Sequence, residues 1–328
     1  MRSITYSKFG PASDVLTLQE SPVPSPTSSE VLVKLHFSGV NPSDAKARGG
    51  TRPGVKKPAF SSVTPNSDGS GIIVSVGSKV DVKRIGERVW IWNGQWQRSS
   101  GTAADFISLP SEQAVKMPNK MSFATGACLG IPGLTAAHCA LGDGSLFEKV
   151  VLVSGGAGSV GHTAIQLAKW SGAKVIATGS PSGFERILSA GADHALDYSD
   201  PQLSKKILNL APDGVDRVIE VEFGQNIDLL HQVTRSNGTI SVYGSTKNMT
   251  PILPFGSFLF KAIKIDIVLI YILSDKARGV AIKALHDAYN SSAFNPVVEK
   301  IYDLTDCASA HDATLRSNRN GAVLLKIH

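Results

Sequence analysis

The sequence predicts an α/β protein of two domains, one built on a doubly wound parallel sheet and the other rich in β-strands. Three observations lead to this fold class. A glycine-rich turn stands between a strand-like run and a helix-like run near the middle of the chain. Further apolar runs follow it, separated by helix-like stretches. Roughly the first third of the chain is instead broken by prolines and holds short strand-like runs, which is typical of an all-β or barrel-like lobe.

The glycine turn predicts a dinucleotide site. Val150–Val153 is a short apolar run of the kind that a strand buried on both faces requires. Gly156, Gly158 and Gly161 follow it with the spacing G-x-G-x-x-G, and Lys174–Thr178 is the next strand. The first glycine permits a tight turn, the second lets the backbone approach a pyrophosphate, and the third lets the following helix pack closely. With strand, turn, helix and strand in register, a purely structural turn is the weaker interpretation.

The segment after the second strand bears on which dinucleotide binds. An NAD site normally offers an acidic residue about 20 residues further on, which bonds the ribose 2′-hydroxyl. Thr178–Ser182 has none. An uncharged segment does not repel a 2′-phosphate, and Ser180, Ser182 and Arg186 have the groups to donate to it, so we predict NADPH. The alternative is that these residues form only a turn and a helix cap, which Ser and Pro also favour.

The runs after the glycine turn complete a six-stranded doubly wound sheet with intervening helices. The predicted strands are His194–Asp197, Arg217–Val221, Thr239–Tyr243 and Ile263–Leu273, and the predicted helices are Pro201–Leu210 and Gln225–Thr234. Ile263–Leu273 is expected at the sheet edge and is too apolar to be left in water. Pairing of this strand with its copy predicts a homodimer or homotetramer.

The β-rich lobe has its own strand-like runs. They are Val31–Phe37, Gly71–Val76, Arg88–Trp92 and Ala104–Leu109. After Lys276 we expect a helix to about Ser292 and then a last strand, Ala322–Ile327, that rejoins the first lobe.

Composition and charge exclude several classes of function. The net charge is +6, but Lys and Arg are scattered, so a nucleic-acid groove is not indicated. No charged and then apolar leader precedes Ile4, and the longest apolar run, Ile267–Leu273, is too short to cross a bilayer. We therefore expect a cytoplasmic protein with no membrane contact and no specific nucleic-acid partner. Three cysteines are too few for a disulfide framework or a zinc knot.

Further motifs extend over nearly the whole chain. Besides the glycine turn they are Ser38–Asp44, Pro65–Ile73, Val76–Gly77, Gly86–Val89, Gly130–Ala136 and Ser189–Asp193. With these motifs the chain resembles the medium-chain dehydrogenase/reductases, and within them the zinc-free quinone oxidoreductases typified by zeta-crystallin. The resemblance implies a GroES-like catalytic domain of residues 1–122 and 274–328. A Rossmann nucleotide-binding domain of residues 123–273 would be inserted in it.

The resemblance also implies the site residues. Asn41 and Asp44 would line the nicotinamide cleft, Arg48 would sit at its mouth, and Thr135 would contact cofactor or substrate. The alternative is that Asn41–Asp44 is only a turn and cap, which its composition also favours. For the cofactor contacts we predict Gly156, Ala157, Gly158, Ser159, Val160, Gly161, Ser180, Ser182, Tyr198, Gly244 and Ser245.

The same comparison of motifs predicts that no metal binds. Zinc alcohol dehydrogenases of this superfamily have Cys at the position of Asn41 and His at that of Ser67, and they carry a four-cysteine loop. None of these is present here. Asn and Ser are poor zinc ligands, and Asp44 with Asp68 cannot complete a tetrahedral site.

The leading function is therefore an NADPH-dependent reductase of quinones. An alternative is a reductase of α,β-unsaturated carbonyls such as enones, because both acceptors are flat and conjugated and gain charge on a carbonyl oxygen. A third alternative, from another class, is an NADPH-binding crystallin-like or RNA-binding protein with incidental turnover. The glycine turn together with Asn41, Asp44 and Thr135 favours catalysis.

Overall fold

The computed structural model describes residues 1–51, 54–316 and 319–328. Along these ranges the strands are β1 (Arg2–Thr5), β2 (Thr17–Glu20), β3 (Glu30–Val40), β4 (Asp68–Val76), β5 (Arg88–Ile91), β6 (Phe106–Pro110), β7 (Ala114–Lys116), β8 (Val150–Val153), β9 (Lys174–Gly179), β10 (His194–Asp197), β11 (Val215–Glu220), β12 (Thr234–Val242), β13 (Lys264–Ile267), β14 (Val298–Asp303) and β15 (Ala322–Lys326).

The helices along the same ranges are α1 (Ala12–Val15), α2 (Pro42–Gly49), α3 (Phe123–Gly126), α4 (Leu134–Leu141), α5 (Ser159–Trp170), α6 (Phe184–Ser189), α7 (Leu203–Leu210), α8 (Phe223–Val233), α9 (Phe255–Phe260), α10 (Asp275–Asn290) and α11 (Cys307–Ala313). None of those described has the length and apolar character needed to span a membrane. The chain divides into two compact units, which are Met1–Ile131 with Pro296–His328 (unit 1) and Pro132–Asn295 (unit 2).

Unit 2 contains the predicted doubly wound sheet. Six parallel strands run in the order β10-β9-β8-β11-β12-β13. The central strand β8 is an apolar run because helices cover both faces of such a sheet, and Val151 and Val153 are fully buried. All strands being parallel, their carboxyl ends meet at one edge of the sheet, where doubly wound folds bind ligands.

The predicted length of the last strand is wrong. We expected Ile263–Leu273, but β13 is Lys264–Ile267, and Ile270–Ile272 forms a 3₁₀ turn. Only the first part of the apolar run pairs with β12. The next residue, Val268, packs inward and is only 8% exposed. The Arg278 guanidinium then donates to carbonyl oxygens of the turn. Apolar composition alone does not distinguish a strand from such a turn.

Unit 1 is organised around the eleven-residue strand β3. It pairs antiparallel with β4 along one edge, and with β6 and then β15 along the other. Val31, Val33 and Leu35 alternate along β3 and are completely buried in the core of this unit. Strand β15 therefore returns the end of the chain to the first lobe, as predicted.

The two units divide at different residues from those we predicted. The first division falls after residue 131 rather than 122, because α3 packs on the strands of unit 1. Ser70 Oγ donates to the carbonyl oxygen of Phe123 at 2.6 Å, and the His36 ring stacks on the Phe123 ring at 4.2 Å. The second division falls after residue 295 rather than 273, because α10 packs on α4 and α5. Gly130, Pro132 and Gly133 flank the first point in the sequence, and Pro296 directly follows the second.

Candidate functional site

Asn41 lies at the end of β3 and is the N-cap of α2. Pro42 occupies the first helical position, where its missing N–H costs no hydrogen bond. A capping box follows: the Asn41 side chain accepts from the N–H of Asp44, and Asp44 Oδ2 accepts from the N–H of Asn41 at 2.8 Å. The backbone of Asn41–Asp44 thus forms the turn and cap that the composition favoured. Any catalytic role of Asn41 therefore depends on its side chain.

The Asn41 amide has a further partner in Asp68. Its Nδ2 donates to Asp68 Oδ2 at 2.8 Å. The two residues are 27 positions apart, but the β3–β4 register pairs Gly39 with Asp68, so the end of β3 lies beside the start of β4. A Cβ on Gly39 would lie 2.4 Å from the Ala127 carbonyl oxygen, which explains the glycine at this position. From the sequence we considered Asp68 only as an insufficient zinc ligand and missed this contact.

Asp68 is an unusual carboxyl group because it is completely buried. Burial raises the pKa of Asp68 well above its usual value, and the nearby Asp44 carboxyl raises that pKa further. Two donors oppose this shift: the N–H of Ile131, at 2.9 and 2.8 Å from the two carboxyl oxygens, and the Asn41 amide. The site therefore holds two acidic groups, with Asn41 bonded to both.

A chain of buried polar side chains fixes the backbone of Asp68. His311 Nε2 donates to Asn66 Oδ1 at 3.0 Å, and Asn66 Nδ2 donates to Ser38 Oγ at 3.0 Å. Ser38 Oγ is 2.7 Å from Thr102 Oγ1, which donates to the carbonyl oxygen of Asp68 at 2.6 Å. Burial lowers the pKa of His311 to about 3, so this ring is neutral near pH 7. From His311 Nε2 to the Asp68 carbonyl oxygen each donor thus faces an acceptor, without a buried charge on the imidazole.

The structure places Arg48 differently from our expectation. We predicted it at the mouth of a cleft, but within unit 1 its side chain is buried and the residue is only 4% exposed. Its guanidinium donates to the carbonyl oxygen of Gly10. A buried guanidinium bonded to the backbone holds a loop in place. Thr135 lies in the first turn of α4 in unit 2 and is also buried.

Every predicted cofactor residue lies at the carboxyl edge of the parallel sheet in unit 2. The glycine turn follows β8, Ser180 and Ser182 follow β9, Tyr198 follows β10, and Gly244 with Ser245 follows β12. Ala157, Ser159 and Val160 belong to the turn and the first turn of α5. This edge is where dinucleotides bind in folds of this class.

The glycines of the turn have different structural roles. The left-handed backbone that a tight turn needs occurs at Gly155, with φ +67°, and not at Gly156 as predicted. A Cβ on Gly156 would lie 2.9 Å from Ala177 Cβ, and one on Gly161 would lie 2.3 Å from the Gly155 carbonyl oxygen. At Gly158 the nearest atom would be 3.4 Å away. Packing thus requires Gly156 and Gly161, whereas the space at Gly158 stays open to a ligand.

A buried carboxyl group that we did not predict supports this turn. Glu220 ends β11 beside β8 and is 1% exposed. Its Oε1 accepts from Ser154 Oγ at 3.1 Å, from Asn226 Nδ2 at 2.9 Å and from the N–H of Glu222. Burial raises the pKa of Glu220. Because Ser154 directly precedes the glycines, these bonds fix the start of the turn. The sequence signal was a charged residue at the end of an apolar strand.

The residues predicted to receive a 2′-phosphate are polar and close together. Ser180 Oγ and Ser182 Oγ are 3.0 Å apart. Arg186 Nε donates to a carbonyl oxygen of the glycine turn at 2.7 Å, so its guanidinium faces the turn. Tyr198 and Lys247 are among the residues that line a pocket of about 400 Å³. We did not predict Lys247 as a cation at this pocket.

The positions of zinc ligands in the related enzymes hold neutral side chains here. Asn41 is 8% and Ser67 is 2% exposed, and neither is a good zinc ligand. Within the described ranges, no group of three or more His, Cys, Asp or Glu side chains could hold a metal ion.

The glycine geometry yields a matched pair of variants. Gly158→Val should raise the dissociation constant for NADPH by about 100-fold or more, because the branched side chain fills space that the pyrophosphate needs. Its melting temperature should change little, since Gly158 has an ordinary φ of −73° and room for a Cβ. Gly161→Ala should instead unfold at a clearly lower temperature, because its Cβ meets a backbone oxygen. Calorimetric titration and thermal melts followed by circular dichroism separate the two effects. Equal losses of stability would contradict this assignment.

Comparison with known proteins gives consistent matches over both units. Residues 27–119 match the family model of the alcohol dehydrogenase GroES-like domain, and residues 159–286 match that of the zinc-binding dehydrogenases. A mycobacterial protein solved in complex with NADPH has the same fold, with a TM-score of 0.87 over 100% of both chains at 24% identity.

Two curated relatives are similar over almost their whole length. The quinone oxidoreductase of Rattus norvegicus is 31% identical over 97% of this chain and 95% of its own. The quinone oxidoreductase of Mus musculus is 31% identical over 99% of this chain and 97% of its own. Together with the GroES-like and Rossmann-type sheets described above, this similarity shows that the chain belongs to the quinone oxidoreductase branch of the medium-chain dehydrogenase/reductases.

Proposed function

We propose that this chain is an NADPH-dependent reductase of quinones that works without zinc. The observation that carries the proposal is the position of the Asn41 amide. Asn41 stands where zinc enzymes of the superfamily have a cysteine, and its Nδ2 donates to the buried carboxyl group of Asp68. The quinone oxidoreductase relatives and the NADPH bound to the mycobacterial neighbour support the acceptor and the cofactor.

The cofactor fits the glycine turn of unit 2. Gly158 leaves its backbone accessible, and the N–H groups at the start of α5 favour a bound pyrophosphate. Ser180 and Ser182 supply hydroxyl donors for the 2′-phosphate, and no acidic residue stands between β9 and α6 to repel it. When bound, NADPH supplies a hydride to the acceptor.

Asn41 then has a defined chemical task. Reduction of a quinone places negative charge on a carbonyl oxygen, and a positioned donor stabilises that charge more in the transition state than in the ground state. The amide N–H of Asn41 is such a donor and is buried enough to act in a medium of low dielectric constant. It stabilises the negative charge that a Lewis acid would otherwise stabilise. The neutral side chains of Asn41 and Ser67 support the absence of zinc from this step.

The cofactor preference is directly testable. The serine hydroxyls and the absence of an acidic residue should make NADPH bind more tightly than NADH by about 10–100-fold or more, since one charge-assisted hydrogen bond contributes about 1.5–3 kcal/mol. The measurement is calorimetric titration with each cofactor on wild type and on the Ser180→Ala, Ser182→Ala double variant, which should lose most of the preference. Equal affinities of wild type for the two cofactors would show the assignment to be wrong.

The role of Asn41 is tested by truncation. Asn41→Ala should lower kcat by about 100-fold while the dissociation constant for NADPH hardly changes, because a donor to the developing oxyanion acts mainly in the transition state. Turnover is measured as NADPH oxidation with 1,4-benzoquinone, 9,10-phenanthrenequinone and 2-alkenals in parallel.

Two controls accompany this variant. A metal chelator should leave wild-type turnover unchanged, and elemental analysis should find no zinc. Arg48→Ala should lower the melting temperature rather than raise KM, because Arg48 is buried against Gly10. A near-normal kcat for Asn41→Ala with every acceptor would leave Asn41 as a helix cap only. Wild type that binds NADPH but reduces none of the acceptors would instead favour the binding role, and preference for 2-alkenals would favour the enone reductase.

We also propose that the chain forms a homodimer or homotetramer through the edge of the unit 2 sheet. Strand β13 lies at that edge, and no other strand within residues 1–51, 54–316 and 319–328 pairs with its outer side. Ile267 is 81% exposed and Ile272 is 68% exposed. Exposed edge strands and apolar patches of this kind are usually covered by a partner, and a two-fold axis would pair β13 with its copy.

A single charge should disrupt this assembly. Ile267→Asp should convert the protein to a monomer, because a carboxylate would be buried beside its symmetry copy, while the already exposed position adds little cost to the isolated fold. The control is Val82→Asp in unit 1, another exposed apolar residue, which should leave the assembly intact. Light scattering at micromolar concentration measures the mass. A monomeric wild type would refute the proposal.

A further inference from the structure

We propose that Asp68 is a positioning residue, whose buried carboxyl group holds the Asn41 amide with one N–H left for the acceptor oxygen. The inference rests on the proposed function, since it explains how the donor of that reaction is oriented. It adds a residue that does not touch the acceptor and acts only through Asn41.

Counting the hydrogen-bonding groups of Asn41 gives the orientation. An asparagine side chain has one carbonyl oxygen and two N–H groups on Nδ2. The capping box directs the oxygen to the N–H of Asp44, and one N–H of Nδ2 donates to Asp68 Oδ2 at 2.8 Å. Among the residues that the structure describes, the other N–H of Nδ2 has no acceptor and is left for a substrate oxygen. If the amide were turned by 180°, its oxygen would face Asp68, and the NH₂ group that is to donate to the acceptor oxygen would face Asp44 instead.

The chemistry of Asp68 prevents that turn. Oδ2 of Asp68 is held as an acceptor, because Asn41 Nδ2 and the N–H of Ile131 both donate to it, so the face of the amide beside this oxygen is the NH₂ group. Donation from Ile131 N–H to both carboxyl oxygens fixes the carboxyl plane. Gly130 lets the chain approach this closely, because a Cβ there would lie 2.0 Å from Asp68 Oδ1. The carboxyl group is thus held from several sides and in turn holds Asn41.

An asparagine at position 68 removes this selection, because its side chain can present either an oxygen or an NH₂ group to Asn41. Asp68→Asn should therefore lower kcat for 1,4-benzoquinone by about 10-fold, less than the loss of the donor itself, with the dissociation constant for NADPH unchanged. The matched control is Asp105→Asn. Asp105 is a buried carboxylate of the same unit, bonded to Arg2. Its replacement should lower the melting temperature but leave kcat within about two-fold of wild type.

A double-mutant cycle separates positioning from general structural support. If Asp68 acts through Asn41, then Asn41→Ala combined with Asp68→Asn should have the same kcat as Asn41→Ala alone, within about two-fold. Losses that multiply in the double variant, or an unchanged kcat in Asp68→Asn, would overturn the inference and leave the proposed function intact. Failure of the proposed function has a different signature, namely a near-normal kcat for Asn41→Ala.

A measurement on wild type decides the matter if Asp68→Asn does not fold. The side-chain N–H signals of Asn41 can be assigned in protein labelled with ¹⁵N-asparagine by their loss in Asn41→Ala. One N–H should exchange with solvent much more slowly than the other, because it is bonded to a buried carboxyl group. Two N–H groups that exchange at the same rate would contradict the inference.

Discussion

Pairing of β3 with β4 is the constraint on which unit 1 depends. Gly39 faces Asp68 across the two strands, so the loop that leaves β3 and the residue that begins β4 meet at one point. The helix cap at Asn41 then turns the chain away within one residue. Hydrogen bonds from Ile131 and from the His311 chain hold the other side of Asp68. A short stretch of sheet register thus determines which side chains surround the proposed donor.

Unit 2 also contains a buried carboxyl group that fixes neighbouring segments. Its parallel strands bring the segments that follow all six of them to one edge, and the buried Glu220 fixes the residue that begins the glycine turn. In both units a buried carboxyl group receives N–H or O–H donors from neighbouring segments, and burial raises its pKa. Desolvation of such a group is tolerated only when donors surround it. Each carboxyl group therefore fixes the position of the segments that contact it.

Much of the fold could be predicted from the sequence, because its signals are local. The glycine spacing, the apolar run of β8 and the proline-rich first lobe depend on neighbouring residues, and these predictions are confirmed. The extent of β13 and the points of division between the units depended on tertiary packing instead. Val268 turns inward and α3 packs on β3 and β4, which no periodicity indicates.

The site was predictable in part for the same reason. Asn41 and the glycine turn carry local motifs, whereas the Asn41–Asp68 bond joins residues 27 positions apart and requires the strand register. Arg48 was placed at the mouth of a cleft by resemblance, and only the fold shows its backbone partner at Gly10. The left-handed turn at Gly155 lay one residue before the motif that we used.

The most direct test of the account is a crystal structure of the protein with oxidised cofactor and a bound quinone. We predict that Asn41 Nδ2 lies about 3 Å from a quinone carbonyl oxygen while it keeps its bond to Asp68 Oδ2. No metal ion should lie near that oxygen. A quinone whose carbonyl oxygens bond to other groups, with the Asn41 amide beyond hydrogen-bond distance, would contradict the central claim.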